Sequence, residues 1–544
     1  MTTITVGEAV ARTLEAYSVS AVYGVISIHN LPIADAIGQR QRVRFVPSRG
    51  EAGAVTMADG HTRMGGLGVA LTSTGAGAGN AVGAMLEALN AGTPLLHITG
   101  QVEKAYLDRD AGFIHETRDQ MGFLQACSKR AYRACTPEQV VPLLHRAIQE
   151  AMTLPRGPVS IEIPIDIQAS EVEWIEPTPV QAAAPARIAD SEIDRLAEQV
   201  LAAKRPMLWM GGGCLEAGDA VRRLADIGLP VVSSTHARGV LPDSHPRSLR
   251  AFHSAPAVEE LYAQSDLMLV AGSRLRSNET RTYSVELPRP LVQIDIDPAA
   301  AQRNYATDTF LCGECGDVLS RLAERLEGRF SPDAKFDADI ALAVQDAEKA
   351  LRKQVGEYAK LSDAIRDALP DDGVFVRDIT VSGSTWGSRL LPIERPLTNI
   401  HSLAGAIGQG LATGIGCAVA AEGRKVVTVV GDGGLMLMVG ELATLAQEAP
   451  DMTLIVMNDS GYGVMRGIQD KYFDGRQYYN DLHTPDFQAM AASLGLPHWN
   501  VSHGDEFQAV IAEAVGHAGP ALVEVDMHSV GPLKFAGPPQ KTLY

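Results

Sequence analysis

GDGGLMLMVGELATLAQEAPDMTLIVMND, residues 431 to 459, opens with an acid between glycines and closes on an asparagine and an aspartate. An apolar run, KVVTVV at 425–430, leads into it, and a second, TLIVM at 453–457, leads to Asn458. The order is strand, tight turn, helix and parallel strand, which returns both polar ends to one edge of a sheet. Asp432 and Asn458 can therefore meet there. Oxygen ligands so placed suit Mg²⁺ shared with phosphate groups, and Gly433 and Gly434 let backbone N–H groups approach those phosphates. A GDG alone reads equally well as a turn after a buried strand.

The chain has 544 residues, too many for one ordinary core, and its length implies roughly three domains. Hydrophobic residues make up 46% and charged residues 21%, a soluble globular composition. The net charge of -18 argues against a nucleic-acid or acidic-membrane partner. With no basic leader followed by an apolar segment and no long uncharged apolar run, a cytoplasmic protein is expected. Six cysteines in this length do not make a disulfide framework, and the Cys312/Cys315 CxxC lacks the second pair a structural zinc needs.

From the N-terminus, apolar positions at helical spacing run from Val6 to Val19, and AVYGVIS follows as a short buried strand. RFVPSRGEAGAVTMADGHTRMGG at 44–66 reads as strand, turn and helix, and GVALTSTGAGAGNAVGAMLEALNAGTPLLHITG at 68–100 repeats the pattern with a returning strand. Such alternation means a parallel sheet covered on both faces. A Pro-rich linker spans 176–190; four apolar strands, PMLWM, LPVVS, DLMLVA and LVQIDI, then define a second α/β unit ending near Gly328. VFVRDI, NIHSL, the opening stretch and ALVEVDM define a third. The expectation is an α/β protein of three doubly wound parallel-sheet domains at 1–176, 190–328 and 345–544, the first and third alike in strand order.

GDG followed by 24 residues and then Asn resembles the thiamine-diphosphate motif, and the three-unit plan resembles the thiamine-diphosphate enzymes of acetolactate synthase, benzoylformate decarboxylase and benzaldehyde lyase type. The resemblance implies thiamine diphosphate and Mg²⁺ as cofactors, with Asp432, Asn458 and the Ser460 carbonyl as metal ligands. The family's second Asn is Asp459 in this chain. The cofactor's aminopyrimidine needs a carboxyl group at its N1′, which the family supplies from a first-domain helix start; RGEAGAVTMADG puts Glu51 there. A Glu in a helix's first turn also simply favours the helix dipole. The resemblance further implies Thr74, Gly75 and Asn80 beside the pyrimidine, and Gly405 and Ile407 supplying a carbonyl and an apolar prop that bends the cofactor. Ser382 and Gly383, with Gly433, Gly434 and Tyr462, are expected around the diphosphate. Glu51 and Asp432 come from different subunits in the family, so a homodimer is the minimum unit and a homotetramer the expected assembly.

Proton-handling side chains set the outcome of such chemistry. His29, His115 and His401 stand near the expected pocket, with His29 and His115 the candidate catalytic pair. Each also reads as a hydrogen-bonded turn histidine. Ser73 stands where benzoylformate decarboxylase carries His, and YGVIS replaces the relatives' YGVPG. Val464, Met465 and the tail GPLKFAGPPQKTLY are expected as pocket wall and lid around a small or aromatic, largely uncharged substrate portion. The flavin-site turns of acetolactate synthases are matched only in part by AFHSAP and GSRLRSNET, so no functional FAD is expected. The function expected is a 2-oxo acid decarboxylase/carboligase, with acetolactate-type condensation or 2-hydroxy ketone lysis as the alternative. A non-catalytic relative would show erosion of Glu51, Asp432 or Asn458, and a nicotinamide dehydrogenase would need a GxGxxG after a strand; neither mark is present.

Overall fold

The structure is a computed structural model that describes residues 2–176, 178–533 and 535. Of the expected lid, Lys534 and residues 536–544 lie outside the described residues.

Three parallel sheets follow one another along the chain. The first runs Arg44–Pro47, Ala21–Gly24, Val69–Thr72, Leu96–Gln101, Val159–Pro164, Arg130–Arg133 across its width. The third runs Asn399–His401, Val374–Arg377, Val426–Gly431, Met452–Asn458, Ala521–Asp526, His498–Val501. Numbering the strands of each in chain order, both read 2-1-3-4-6-5, the likeness expected from the sequence. The middle sheet has five strands, in the order Val231–Ser233, Pro206–Met210, Leu267–Ala271, Leu291–Asp295, Thr309–Cys312.

The central strands of the third sheet are largely apolar because helices cover both faces. Val426 to Val430 and Thr453 to Met457 are all buried. Each Val or Ile so placed contributes about 1.5–3 kcal/mol relative to an exposed one. An antiparallel pair, Thr2–Thr5 with Glu171–Trp174, joins the ends of the first segment. Two helices, Phe336–Val355 and Tyr358–Ala368, lead into the third unit, separated at Gly356 with its φ of +58°.

The first and third units pack through helix Glu51–Arg63 and helix Gly410–Ala420. Glycine makes this approach possible. A Cβ on Gly60 would sit 2.3 Å from the Thr413 carbonyl oxygen, and one on Gly416 would sit 1.9 Å from that of Met57. Helix Glu51–Arg63 is consequently buried from Gly53 to its end. The middle unit is tied to the third by Arg238, which pairs with Asp243 and donates to the carbonyls of Ser388 and Leu391. Among the described residues no helix is long and apolar enough to cross a membrane.

Candidate active site

Strands Val426–Gly431 and Met452–Asn458 are parallel neighbours, with Gly431 opposite Met457, so Asp432 and Asn458 stand at the same sheet edge. Asp432 is fully buried. Its carboxylate accepts from the backbone N–H of Gly461 at 2.9 Å and, more distantly, from that of Asp459 at 3.4 Å. The Asn458 amide oxygen accepts from Ser460 N at 3.1 Å while its NH₂ donates to Glu524 at 2.7 Å. That second bond orients the oxygen toward the turn. Ser460 takes a left-handed φ of +53°, which turns the chain sharply after the strand.

Arg466 fixes this turn from behind. It donates to the Asp459 carbonyl at 2.9 Å and to the Ser460 carbonyl at 3.0 Å, and pairs with the Asp459 carboxylate at 3.2 Å. Burial, and then the neighbouring Asp459 carboxylate, pushes Asp432 up to about 7. No basic side chain pairs with Asp432 among the described residues. A buried carboxylate without a cation, beside an oriented amide oxygen, offers hard oxygen donors of the kind that fit Mg²⁺. Among the described residues no group of three or more His, Cys, Asp or Glu forms a metal cluster. An amide and a carbonyl as ligands do not require one.

The glycines beside Asp432 are demanded by close approach. A Cβ on Gly433 would lie 2.8 Å from the Tyr462 ring, and one on Gly434 3.0 Å from an Asp378 carboxylate oxygen. Asp378, pushed up to about 6 by burial, accepts from Gly408 N at 2.9 Å and so anchors the end of the 402–408 loop. Gly405 in that loop has a φ of +87°, and Ile407 projects outward at 43% exposed. The Ser382 hydroxyl is buried with no partner, and Gly383 N is capped by Thr380. An orphaned buried hydroxyl at this edge fits an acceptor such as a phosphate oxygen.

The first-unit half of the site lies at the equivalent sheet edge. Glu51 is the first residue of its helix, and Asn80 Nδ2 donates to its Oε2 at 3.2 Å. Gly77 provides the space for it, since a Cβ there would sit 2.7 Å from Glu51 Oε1. Gly75, with a φ of +61°, backs onto His115, whose carbonyl oxygen a Cβ would meet at 2.4 Å. His29 and His115 lie edge to face with ring centroids 4.9 Å apart, His29 buried and His115 exposed. Burial, then His115, lowers His29 below the ordinary histidine range.

Two expected residues are turned elsewhere. The Thr74 hydroxyl lies 2.9 Å from Gln120 Oε1 and 3.1 Å from Gln101 Oε1, its one proton shared between them inside a buried network that also holds Glu162. His401 packs toward His236 of the middle unit with centroids 6.1 Å apart, and burial lowers it well below the usual range. Arg466 and Glu87 were missed by sequence reading. Arg466 carries a local signal, a cation one helix turn past the metal-like loop; Glu87 carries another, the single charged residue of helix Ala76–Ala91.

Three family descriptions match this chain in order. Residues 4–123 match the thiamine pyrophosphate enzyme N-terminal TPP binding domain, 193–322 the central domain, and 381–525 the C-terminal TPP binding domain. A "Probable 2-ketoarginine decarboxylase" of Pseudomonas aeruginosa is 30% identical over 533 residues, covering 96% of this chain and 94% of the relative. The chain belongs to the thiamine pyrophosphate enzymes. Within this family it is also similar to the acetolactate synthase isozyme 1 large subunit of Escherichia coli, at 29% identity over 95% of this chain and 93% of that one. The acetolactate synthase large subunit of Corynebacterium glutamicum is 26% identical over 94% and 84% respectively. As a thiamine pyrophosphate enzyme of the acetolactate synthase and decarboxylase type, the chain has its two TPP binding domains on the two sheets of identical strand order.

Proposed function

We propose that this enzyme is a thiamine-diphosphate- and Mg²⁺-dependent 2-oxo acid decarboxylase with carboligase activity, acting on a C–C bond adjacent to a carbonyl. The observation that carries the reading is Asp432, buried without a cation beside Asn458 and Ser460 in the matched C-terminal TPP binding domain. Asp432, Asn458 Oδ1 and the Ser460 carbonyl hold the metal, and Ser382, Gly383, Gly433, Gly434 and Tyr462 surround the diphosphate. When bound, thiamine diphosphate supplies a nucleophilic carbon and an electron sink for the bond that breaks. Glu51 holds a proton against the aminopyrimidine N1′, with Asn80 orienting its carboxylate. The backbone around Thr74 and Gly75 lines the pyrimidine, and Gly405 and Ile407 receive its other edge. His29 and His115 move protons on the substrate side. The decarboxylase named among the relatives supports loss of CO₂ from a 2-oxo acid.

A homodimer is the minimum active unit in this proposal. Exposed Ile26, Ile28, Leu31 and Ile114 flank the first-domain histidines, and exposed Ile407, Met436, Leu437 and Met465 flank the third-domain anchor. Apolar side chains concentrated at both half-sites support covering of one by the other across a two-fold pair. A homotetramer would pair such dimers. The second reading, an acetolactate-type condensation or 2-hydroxy ketone lysis, is favoured by the acetolactate synthases among the relatives.

Incubating the Mg²⁺- and thiamine-diphosphate-loaded enzyme with a panel of 2-oxo acids and 2-hydroxy ketones separates these outcomes. CO₂ release with aldehyde supports decarboxylation, and coupled product without free aldehyde supports condensation. Aldehyde without CO₂ marks a lyase. Failure of every substrate to yield CO₂, aldehyde or coupled product would sink the proposal.

A further inference from the structure

Glu87 is 2% exposed on a helix of otherwise uncharged residues, AGAGNAVGAMLEALNA. A carboxylate buried so completely is costly unless it is paired and its oxygens are filled. Arg63 pairs with it at 3.1 Å while also binding Asp59 at 2.6 Å and the His401 carbonyl at 2.6 Å. The remaining acceptor capacity goes to another domain. Leu403 N donates to Oε1 at 2.5 Å, and Ala404 N and the Ser402 hydroxyl donate to Oε2 at 2.8 and 2.7 Å. Burial alone would raise this carboxyl, but Arg63 and the three donors hold it below the usual range.

The 402–408 loop is thus fastened at two points by two carboxylates, Glu87 at residues 402–404 and Asp378 at Gly408. Gly405, Ala406 and Ile407 form the short span between them, and Gly405 and Ile407 are exposed. We propose that Glu87 is a positioning residue: from the first domain it fixes the loop of the third domain so that Gly405 and Ile407 meet the aminopyrimidine half of thiamine diphosphate. This rests on the cofactor reading proposed above. The diphosphate anchor at Asp432 and Asn458 is independent of Glu87, since none of its hydrogen bonds passes through the 402–404 segment. Glu87 therefore governs capture of the pyrimidine and leaves capture of the diphosphate alone.

Calorimetric titration of the cofactor-free protein in Mg²⁺ tests this with two ligands, thiamine diphosphate and inorganic diphosphate, which has the anchor but no pyrimidine. Glu87→Gln is expected to weaken thiamine diphosphate about tenfold, the scale of losing buried hydrogen bonds and loop preorganisation, and to change inorganic diphosphate less than about twofold. Ser402→Ala, which removes one donor and keeps the ion pair, gives a smaller change in the same sense. Should Glu87→Gln fail to fold, Glu87→Asp and Ser402→Ala are read by the same two-ligand criterion. An unchanged thiamine diphosphate affinity, or equal weakening of both ligands, overturns the positioning role. A folded wild-type protein that binds no thiamine diphosphate overturns the cofactor reading instead.

Discussion

Gly416 faces Met57 across the interface of the two TPP binding domains so closely that one added carbon would lie 1.9 Å from the Met57 carbonyl oxygen. Met57 belongs to the helix that begins with Glu51, so the position of Glu51 depends on this contact.

Gly416→Ala is accordingly expected to push the two helices apart. Overpacking of this kind costs on the order of 1–3 kcal/mol, which lowers the melting temperature by about 2–4 °C per kcal/mol in a domain of ordinary size. Turnover should fall with it. A thermal melt and a steady-state assay check both, and an unchanged melt would show that the helices separate without penalty.

Glu51→Gln changes one atom at the start of the same helix and keeps an oxygen for Asn80 Nδ2 to donate to. Loss of a positioned acid/base group lowers turnover by about 10²–10⁴-fold. Metal binding is expected to stay near wild type, because Asp432 and Asn458 are untouched. Substantial residual turnover in the fully loaded variant would remove Glu51 from the mechanism.

Val426–Gly431 and Met452–Asn458 were legible because strands buried on both faces read as near-continuous apolar runs. Arg130–Arg133, Thr309–Cys312 and His498–Val501 were not, and each is the outer strand of its sheet, short and partly exposed. Val159–Pro164 is interior but is interrupted by Ser160 and Glu162, whose burial is tolerated because His97, Ser128, Arg133 and Gln120 complete their bonding. The meeting of Asp432 and Asn458 at one sheet edge was legible in local spacing. Glu87 was not assigned, since its donors lie more than 300 positions away and no local pattern encodes a contact between domains.

Asp432 gives a pH signature in the metal-free protein. Its folded value of about 7 lies above the ordinary aspartate value of about 3.9. The protonated form is the one the fold favours, so this contribution to stability is complete below pH ~4 and is lost as pH rises to about 7. Metal-free Asp432→Asn is therefore expected to melt higher than metal-free wild type at pH 8, with the gap shrinking toward pH 5. Mg²⁺ should stabilise the wild type at pH 8 and leave Asp432→Asn nearly unaffected. Melting curves with and without EDTA read all four conditions; a gap that does not vary with pH would mean that Asp432 is already ionised at low pH in the fold.

His29 and His115 pack edge to face with 4.9 Å between ring centroids. Burial first, and then repulsion from His115, lowers His29, so the folded protein takes up its proton at lower pH than the unfolded chain does at about 6.5. Stability from this residue is thus present at neutral pH and is lost as pH falls from about 6.5 through the lowered value. If neutral His29 is the working form, the acid limb of kcat/KM falls in that same range. His115→Phe preserves the ring packing and removes the repulsion while burial remains. The acid limb should then move to higher pH, partway toward 6.5, and His29→Phe should abolish that limb along with most of the rate. A limb that stays in place in His115→Phe and survives in His29→Phe belongs to another group, and the histidine pair then has no part in the proton transfer.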